Sequence, residues 1–212
     1  MYLFTRSARL GPGRIREAMA WSVSMTEKVN QISQTPVTLW STVFSPGAGT
    51  LTWTSIVEDL GVLEATEAKL MADNRYLELV DEGAAFGAGD AIDDGIVQLV
   101  VADVDAAGTP PAYVTVARAV LAPGAMASGI ELGIEIAQRA KAVTGCPSSF
   151  GVAGTGPYGG VVWITGCDSI EQLQHAQEAI ASDTDFTKLI DQKASQLYLP
   201  GVATQTVYRK IV

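Results

Sequence analysis

The chain is written twice. Leu10-Gly11-Pro12-Gly13 returns as Leu121-Ala122-Pro123-Gly124, Thr35-Pro36 as Cys146-Pro147, Trp53 as Trp163, and Asp73-Asn74-Arg75-Tyr76 as Asp183-Thr184-Asp185-Phe186. The offset is 111 residues up to the prolines and 110 from the tryptophans onward, so the copies differ by one residue in one turn. A unit of about 100 residues is a common size for a small domain, and a register of this kind restricts the chain to two copies of one fold. We expect a first repeat over 1–101, a linker over 102–111 that ends Gly108-Thr109-Pro110-Pro111, and a second repeat over 112–212.

With 48% hydrophobic and 17% charged residues, the chain has ample material for a core and lacks the composition of a disordered segment. Its formal charge of −9 argues against a nucleic-acid partner, because phosphate-backbone affinity rests on lysine and arginine. No apolar run approaches the ~18 to 20 residues that span a bilayer, so no membrane partner is expected. The start, Met1-Tyr2-Leu3-Phe4-Thr5-Arg6, carries a charge too early for a secretory leader, and the expected location is the cytoplasm. Cys146 and Cys167 face Thr35 and Val57 in the first copy. They lie at the open end of an expected hairpin, close enough to meet, and are read as reduced small hydrophobes.

Each copy reads β, α, β, β, α, β. The first opens with a strand over 2–10, a turn at Gly11-Pro12-Gly13 and a helix over 14–32. Ile15, Met19, Val23, Thr26 and Val29 share one face at helical spacing, matched by Met126, Ile130, Ile134, Ala137 and Ala140, and this face is expected to be core. Trp21, Met25 and Ile32 form a second stripe, matched by Leu132, Ile136 and Val143. Together they cover roughly 200° of the helix, against about 100° for one-sided burial, which predicts contact with the other copy or another subunit. Two strands around Ser45-Pro46-Gly47-Ala48-Gly49, and two around Gly156-Pro157-Tyr158-Gly159, read as hairpins. A second helix follows over 59–72 and 169–182, with Asp168 and Glu171 as a capping-box-like start. A short helical piece and a last strand complete each copy.

That order is the ferredoxin-like βαββαβ unit. The strands are apolar at both parities, as in Val161-Val162-Trp163-Ile164, which demands burial on two faces. The fold class expected is α+β, with two tandem repeats whose antiparallel sheets pack together.

Trp163-Ile-Thr-Gly-Cys-Asp168-Ser-Ile-Glu-Gln-Leu173, followed by Asp183-Thr-Asp-Phe186-Thr-Lys-Leu189, resembles the strand, acidic turn, helix and short helix of the dimeric α+β barrel proteins. Trp53 to Leu60, with Asp73 to Leu79, resembles the same stretch. That superfamily includes antibiotic-biosynthesis-type monooxygenases, heme-degrading monooxygenases, EthD-like and NIPSNAP-like proteins. The resemblance implies a barrel of two ferredoxin-like sheets, here fused in one chain, with ligands held between sheet and helices or inside the barrel. It specifies fold and not chemistry.

The heme-binding histidine of that superfamily would fall at Val80 and Ile190, and an apolar side chain cannot coordinate iron. The sole histidine, His175, is expected on a polar helix face, and no nucleophile stands in an elbow-type motif. The glycine-rich run 151–160 joins two strands and does not open a helix, so it reads as hairpin and not phosphate loop. Asp90, Asp93 and Asp94 lack the spacing of a calcium loop. Neither a metal nor a cofactor is expected.

What remains is an aromatic and polar lining. Trp40, Trp53, Trp163, Tyr113 and Arg118 are the candidate ligand-binding residues, with Arg118 orienting an anionic or carbonyl group. Core packing is the simpler explanation of the two repeated tryptophans. Trp40, Arg6 and Arg118 lack counterparts, as expected if one half keeps a pocket and the other fills it. The expected function is binding of a small apolar or aromatic molecule in a sheet-lined cavity. The alternatives are a cofactor-independent oxygenase and an assembly protein, a homo-oligomer included, that uses the broad helix face.

Overall fold

The computed structural model describes residues 1–33, 35–87, 92–104 and 108–212. The element order is β1 (Tyr2–Arg9), α1 (Ile15–Ile32), β2 (Val37–Val43), β3 (Thr50–Val57), α2 (Leu60–Met71), α3 (Asn74–Ala84), β4 (Ile92–Val101), and then β5 (Tyr113–Val120), α4 (Met126–Thr144), β6 (Ser148–Ala153), β7 (Gly160–Cys167), α5 (Ile170–Ser182), α6 (Thr184–Leu189) and β8 (Thr204–Lys210). A π-helical turn over Ile190–Ala194 and a last turn over Ser195–Leu197 follow α6. The strands run in the hydrogen-bonded order β1-β3-β2-β8-β5-β7-β6-β4, a closed barrel. Each repeat supplies a ferredoxin-like sheet, β4-β1-β3-β2 and β8-β5-β7-β6. The fold is therefore the expected tandem α+β barrel.

The chain packs as two compact units, Met1–Ile96 with Arg209–Val212, and Val97–Tyr208. In the first, β1 and β3 pair from Tyr2 opposite Val57 to Arg9 opposite Thr50, and β2 lies on the other side of β3 with Leu39 opposite Trp53. The C-terminal residues complete this unit: Ile211 N–H donates to Leu39 O at 2.8 Å, and Leu39 N–H to Val212 O at 2.7 Å. Its core is Ala8, Leu39, Leu51 and Trp53 from the sheet, Trp21 and Met25 from α1, and Tyr76 and Leu79 from α3. In the second unit, β5 and β7 pair from Tyr113 opposite Cys167 to Val120 opposite Gly160, with β6 beside β7. Its core is built likewise from Ala119, Leu121, Leu132, Ile136, Ala137, Phe150, Val161 and Tyr198.

The long helices correct one expectation. Their buried positions are Ala18, Trp21, Ser22, Met25 and Thr26 in α1 and Gly129, Leu132, Gly133, Ile136, Ala137 and Ala140 in α4, whereas Ile15 is 62% exposed. The buried face is thus centred on the second stripe and on a line of small residues that apolar periodicity does not register. Those small residues let the helix approach the strands. A Cβ at Gly133 would stand 2.2 Å from Phe150 Cζ, and Phe150 is fully buried.

The two copies satisfy the repeated indole differently. In the first, Trp53 Nε1 donates to Thr26 Oγ1 at 2.8 Å, and Thr26 Oγ1 donates to Ser22 O at 2.7 Å. In the second, Thr26 and Ser22 are replaced by Ala137 and Gly133, and Trp163 Nε1 donates directly to Gly133 O at 2.9 Å. With no hydroxyl to bridge, the helix backbone itself becomes the acceptor.

The cap of α5 also differs by one residue from its expected form. Ser169 is the N-cap and accepts from Gln172 N–H at 3.2 Å, while Gln172 Oε1 accepts from Asp168 N–H at 2.6 Å. Ser169 and not Asp168 is therefore the N-cap, because an N-cap must reach the third helical amide, and Gln172 closes back one residue further, on the Asp168 amide.

Candidate functional site

Alternation along paired strands assigns each candidate side chain to a face. On the helix-facing side of the first unit lie Ala8, Arg6 and Phe4, opposite Leu51, Trp53 and Ser55. Trp53 is 8% exposed and meets Trp21 edge-on at 6.1 Å. Trp163 is on the helix-facing side of the second unit, against Phe150 at 5.4 Å and Tyr198 at 5.6 Å. Tyr113 shares that side, opposite Cys167. Trp40 and Arg118 point from the opposite faces of their sheets. Trp40 Nε1 donates to Thr54 Oγ1 at 2.8 Å, while Arg118 pairs in register with Val162 and is exposed. The five residues chosen from sequence thus do not share one surface. Both repeated tryptophans have their indole N–H occupied by the long helix beside them.

The faces away from the helices differ between repeats. In the first, Ser7, Thr38, Trp40, Thr42, Thr52 and Thr54 make it polar, and Ser7 Oγ lies 2.9 Å from Thr52 Oγ1. In the second, Val114, Val116, Val120, Val162 and Ile164 surround Arg118, which makes no hydrogen bond or ion pair among the described residues. Gly151 stands where the first repeat has Trp40. A Cβ there would meet Val97 Cγ1 at 2.4 Å, so a neighbouring valine fills the space.

A second cluster, centred on Arg6, emerges on the helix-facing side of β1. Its guanidinium donates through Nε to Asp94 Oδ1 at 2.8 Å and through Nη2 to Asp94 Oδ2 at 2.6 Å. The Phe4 ring lies 5.8 Å from its Cζ. The Arg6 pKa is raised first by the Asp94 hydrogen bond and further by the charge of Asp94, Tyr76 and Glu67, against a lowering by burial. Arg6 of β1 is thus bound to Asp94 of β4, with Tyr76 of α3 and Glu67 of α2 near enough to act on its charge. Two of five guanidinium N–H groups are spent on Asp94, and the Arg6 side chain is 37% exposed.

Repeat two has nothing similar. At the same offsets Arg6, Glu67, Tyr76 and Asp94 become Ala117, Gln177, Phe186 and Thr204. The helix above changes with them: α5 buries Leu173 and Ala176, whereas α2 buries no residue, and its equivalents Leu63 and Thr66 are only partly covered. Sequence reading noted Arg6 but missed its partners. The signal was available, since three charged residues vanish together between copies.

Elsewhere in the second unit, Glu135, Arg139, Asp185, Lys188, Leu189, Gln192 and Lys193 line an open cleft of about 300 Å³. Its charges are largely matched, with Lys193 at 2.8 Å from Glu135 and Arg139 at 2.6 Å from Asp183. His175 is 78% exposed on α5 with Glu178 Oε2 at 3.7 Å. Val80 is 45% exposed, and Ile190 opens the π turn. Asp90 lies outside the described residues, and Asp94 is the partner of Arg6. Among the described residues no group of three or more histidine, cysteine, aspartate or glutamate side chains is placed to hold a metal. No described helix is long and apolar enough to cross a membrane.

No family profile matches the sequence, and no curated protein matches it in sequence. Solved structures do match in fold. A candidate monooxygenase from Fusobacterium nucleatum superposes with a TM-score of 0.72 at 9% identity, covering 100% of this chain and 92% of the other. An anthrone oxidase-like protein gives 0.66 at 12% identity, with 100% and 91% covered. A candidate monooxygenase from Lactobacillus acidophilus gives 0.66 at 7% identity, with 99% and 93% covered. At such identities the likeness is one of fold. The chain has the dimeric α+β barrel fold, as a tandem fusion of two ferredoxin-like repeats.

Proposed function

We propose that the first repeat binds a small, largely aromatic molecule bearing an anionic or carbonyl oxygen, between β1 and the α2–α3 pair, with Arg6 facing that oxygen. One observation carries this reading: the half-covered Arg6 guanidinium, with N–H donors to spare, lies under a helix that buries none of its side chains. Asp94 fixes the guanidinium fork from one side, which leaves the remaining donors preorganised for a ligand oxygen. The Phe4 ring, 5.8 Å from the guanidinium carbon, supplies aromatic surface beside it. The monooxygenase and anthrone oxidase names of the fold neighbours accord with a site for a polycyclic aromatic. Sites of this type are mostly apolar with few orienting polar groups.

The test is isothermal titration with 2-naphthoate, anthracene-9-carboxylate and salicylate against the intact chain, with Arg6→Gln and Arg118→Gln beside it. The expected result is saturable binding of at least one acid, weakened tenfold or more by Arg6→Gln and changed less than twofold by Arg118→Gln, with unchanged far-UV spectra. No saturable binding of any of the three, or equal binding by Arg6→Gln, overturns the assignment.

A further inference from the structure

The second repeat carries a pair of buried thiols that the first repeat does without. Cys146 and Cys167 are 0% and 2% exposed, and their sulfurs stand 3.7 Å apart. The equivalent positions in the first repeat are Thr35 and Val57, so the shared scaffold closes without cysteine at either place.

Their geometry follows from the strand register. Ser148 opposes Thr165, and Gly166 N–H donates to Pro147 O at 3.0 Å. Continuing that ladder by one step sets Cys146 directly across from Cys167. Directly opposed residues of an antiparallel pair have Cα atoms about 4.5 to 5.5 Å apart, inside the window of roughly 4.4 to 6.8 Å that a disulfide spans. Rotation of the side chains is enough to close the remaining gap between sulfurs.

We propose that Cys146 and Cys167 form an oxidation site, closing to an intramolecular disulfide across the open end of the β6–β7 hairpin. The crosslink joins two helix ends. Cys146 directly follows Gly145, the left-handed C-cap of α4 at φ 68°, and Cys167 lies two residues before Ser169, the N-cap of α5. Oxidation therefore ties the end of α4 to the start of α5.

The oxidant is a low-molecular-weight disulfide such as glutathione disulfide. One protein thiolate attacks a reagent sulfur, breaking its S–S bond and releasing one glutathione thiolate. The second protein thiolate then attacks the protein sulfur of the mixed disulfide, and the second glutathione leaves. Two electrons pass to the reagent, and the two protein protons end on two glutathione thiols. Burial, followed by the hydrogen bond to Cys146, pushes the Cys167 thiol up to about 12. Few thiolates therefore exist in the closed state, and exchange is fastest while the hairpin end is open.

The test removes access as a variable. The intact chain is unfolded in urea with reduced and oxidised glutathione, refolded by dilution and equilibrated. It is then quenched in acid and alkylated with N-ethylmaleimide in denaturant. Intact mass should show the chain lighter by two hydrogens, without adducts, as the main species. That species should have a native far-UV spectrum and a thermal midpoint at least about 5 °C above the reduced chain. Two maleimide adducts, a glutathione adduct, a disulfide-linked dimer or a non-native spectrum as the main outcome overturns the proposal.

Discussion

Replacing Thr26 with valine removes both hydrogen bonds of one hydroxyl in a buried chain of three groups. Thr26 is fully buried, its hydroxyl accepts from Trp53 Nε1 at 2.8 Å and donates to Ser22 O at 2.7 Å, and Trp53 is 8% exposed. Valine keeps the volume, the β-branch and nearly the same helix propensity, so it introduces no cavity. The indole N–H is then left buried without a partner, at about 1 to 3 kcal/mol. For a chain of this length, each kcal/mol lowers the midpoint by roughly 2 to 4 °C. Urea and thermal unfolding, followed by tryptophan fluorescence and far-UV dichroism together, read this directly, and coincidence of the two probes checks two-state behaviour. Trp53→Phe closes a double-mutant cycle, in which the pair should couple by about 1 kcal/mol. A Thr26→Val chain within about 0.3 kcal/mol of wild type, below the usual value of one hydrogen bond, refutes the reasoning. Weakened aromatic binding at unchanged stability would instead make Trp53 part of a ligand wall.

Gly133→Ala should destabilise by about 1 to 3 kcal/mol despite alanine's better helix propensity, because the new Cβ would lie 2.2 Å from a fully buried ring; urea midpoints check it. Tyr198→Phe removes a 2.9 Å donation to Gly129 O at a cost of about 0.5 to 1.5 kcal/mol. Burial holds the Tyr198 hydroxyl up to about 12, so absorbance titration at alkaline pH should separate wild type from this variant only near pH 12. Asp183 is depressed, first by the Arg139 hydrogen bond and then by Phe186 N–H, so its contribution is complete above the unfolded pKa of about 3.9 and vanishes as pH falls through the lower folded value. Thermal midpoints from pH 7 to 2 should show a shallower acid limb for Asp183→Asn than for wild type.

The two faces of the strands illustrate how far pattern alone reached. Apolar residues at both parities foretold burial on both sides, and the hairpin over 151–160 was readable from its turn residues. The helix orientation was not, because Ala18, Ser22, Gly129 and Gly133 direct the packing by being small, and hydrophobic periodicity is blind to size. The Arg6 cluster escaped for another reason. Its members come from β1, α2, α3 and β4, and their sequence separations have no regularity that a motif could capture. Trp53 and Trp163 looked like lining because aromatic residues serve cores and pockets alike, and only the destination of their indole N–H distinguishes the two uses.

Sequence by itself determined the duplication, the βαββαβ order and the α+β class with antiparallel sheets packed together, since these depend on strand patterning, local turn chemistry and an internal register, while closure into a barrel followed from the family resemblance. Tertiary structure alone decided that Arg6 is held by Asp94 beneath a helix that buries none of its residues and that the long helices approach along small residues, and it set the sulfurs of Cys146 and Cys167, already expected near each other from the hairpin, 3.7 Å apart. Each of these depends on distances between residues remote in the chain, and packing sets such distances through the summed fit of many side chains.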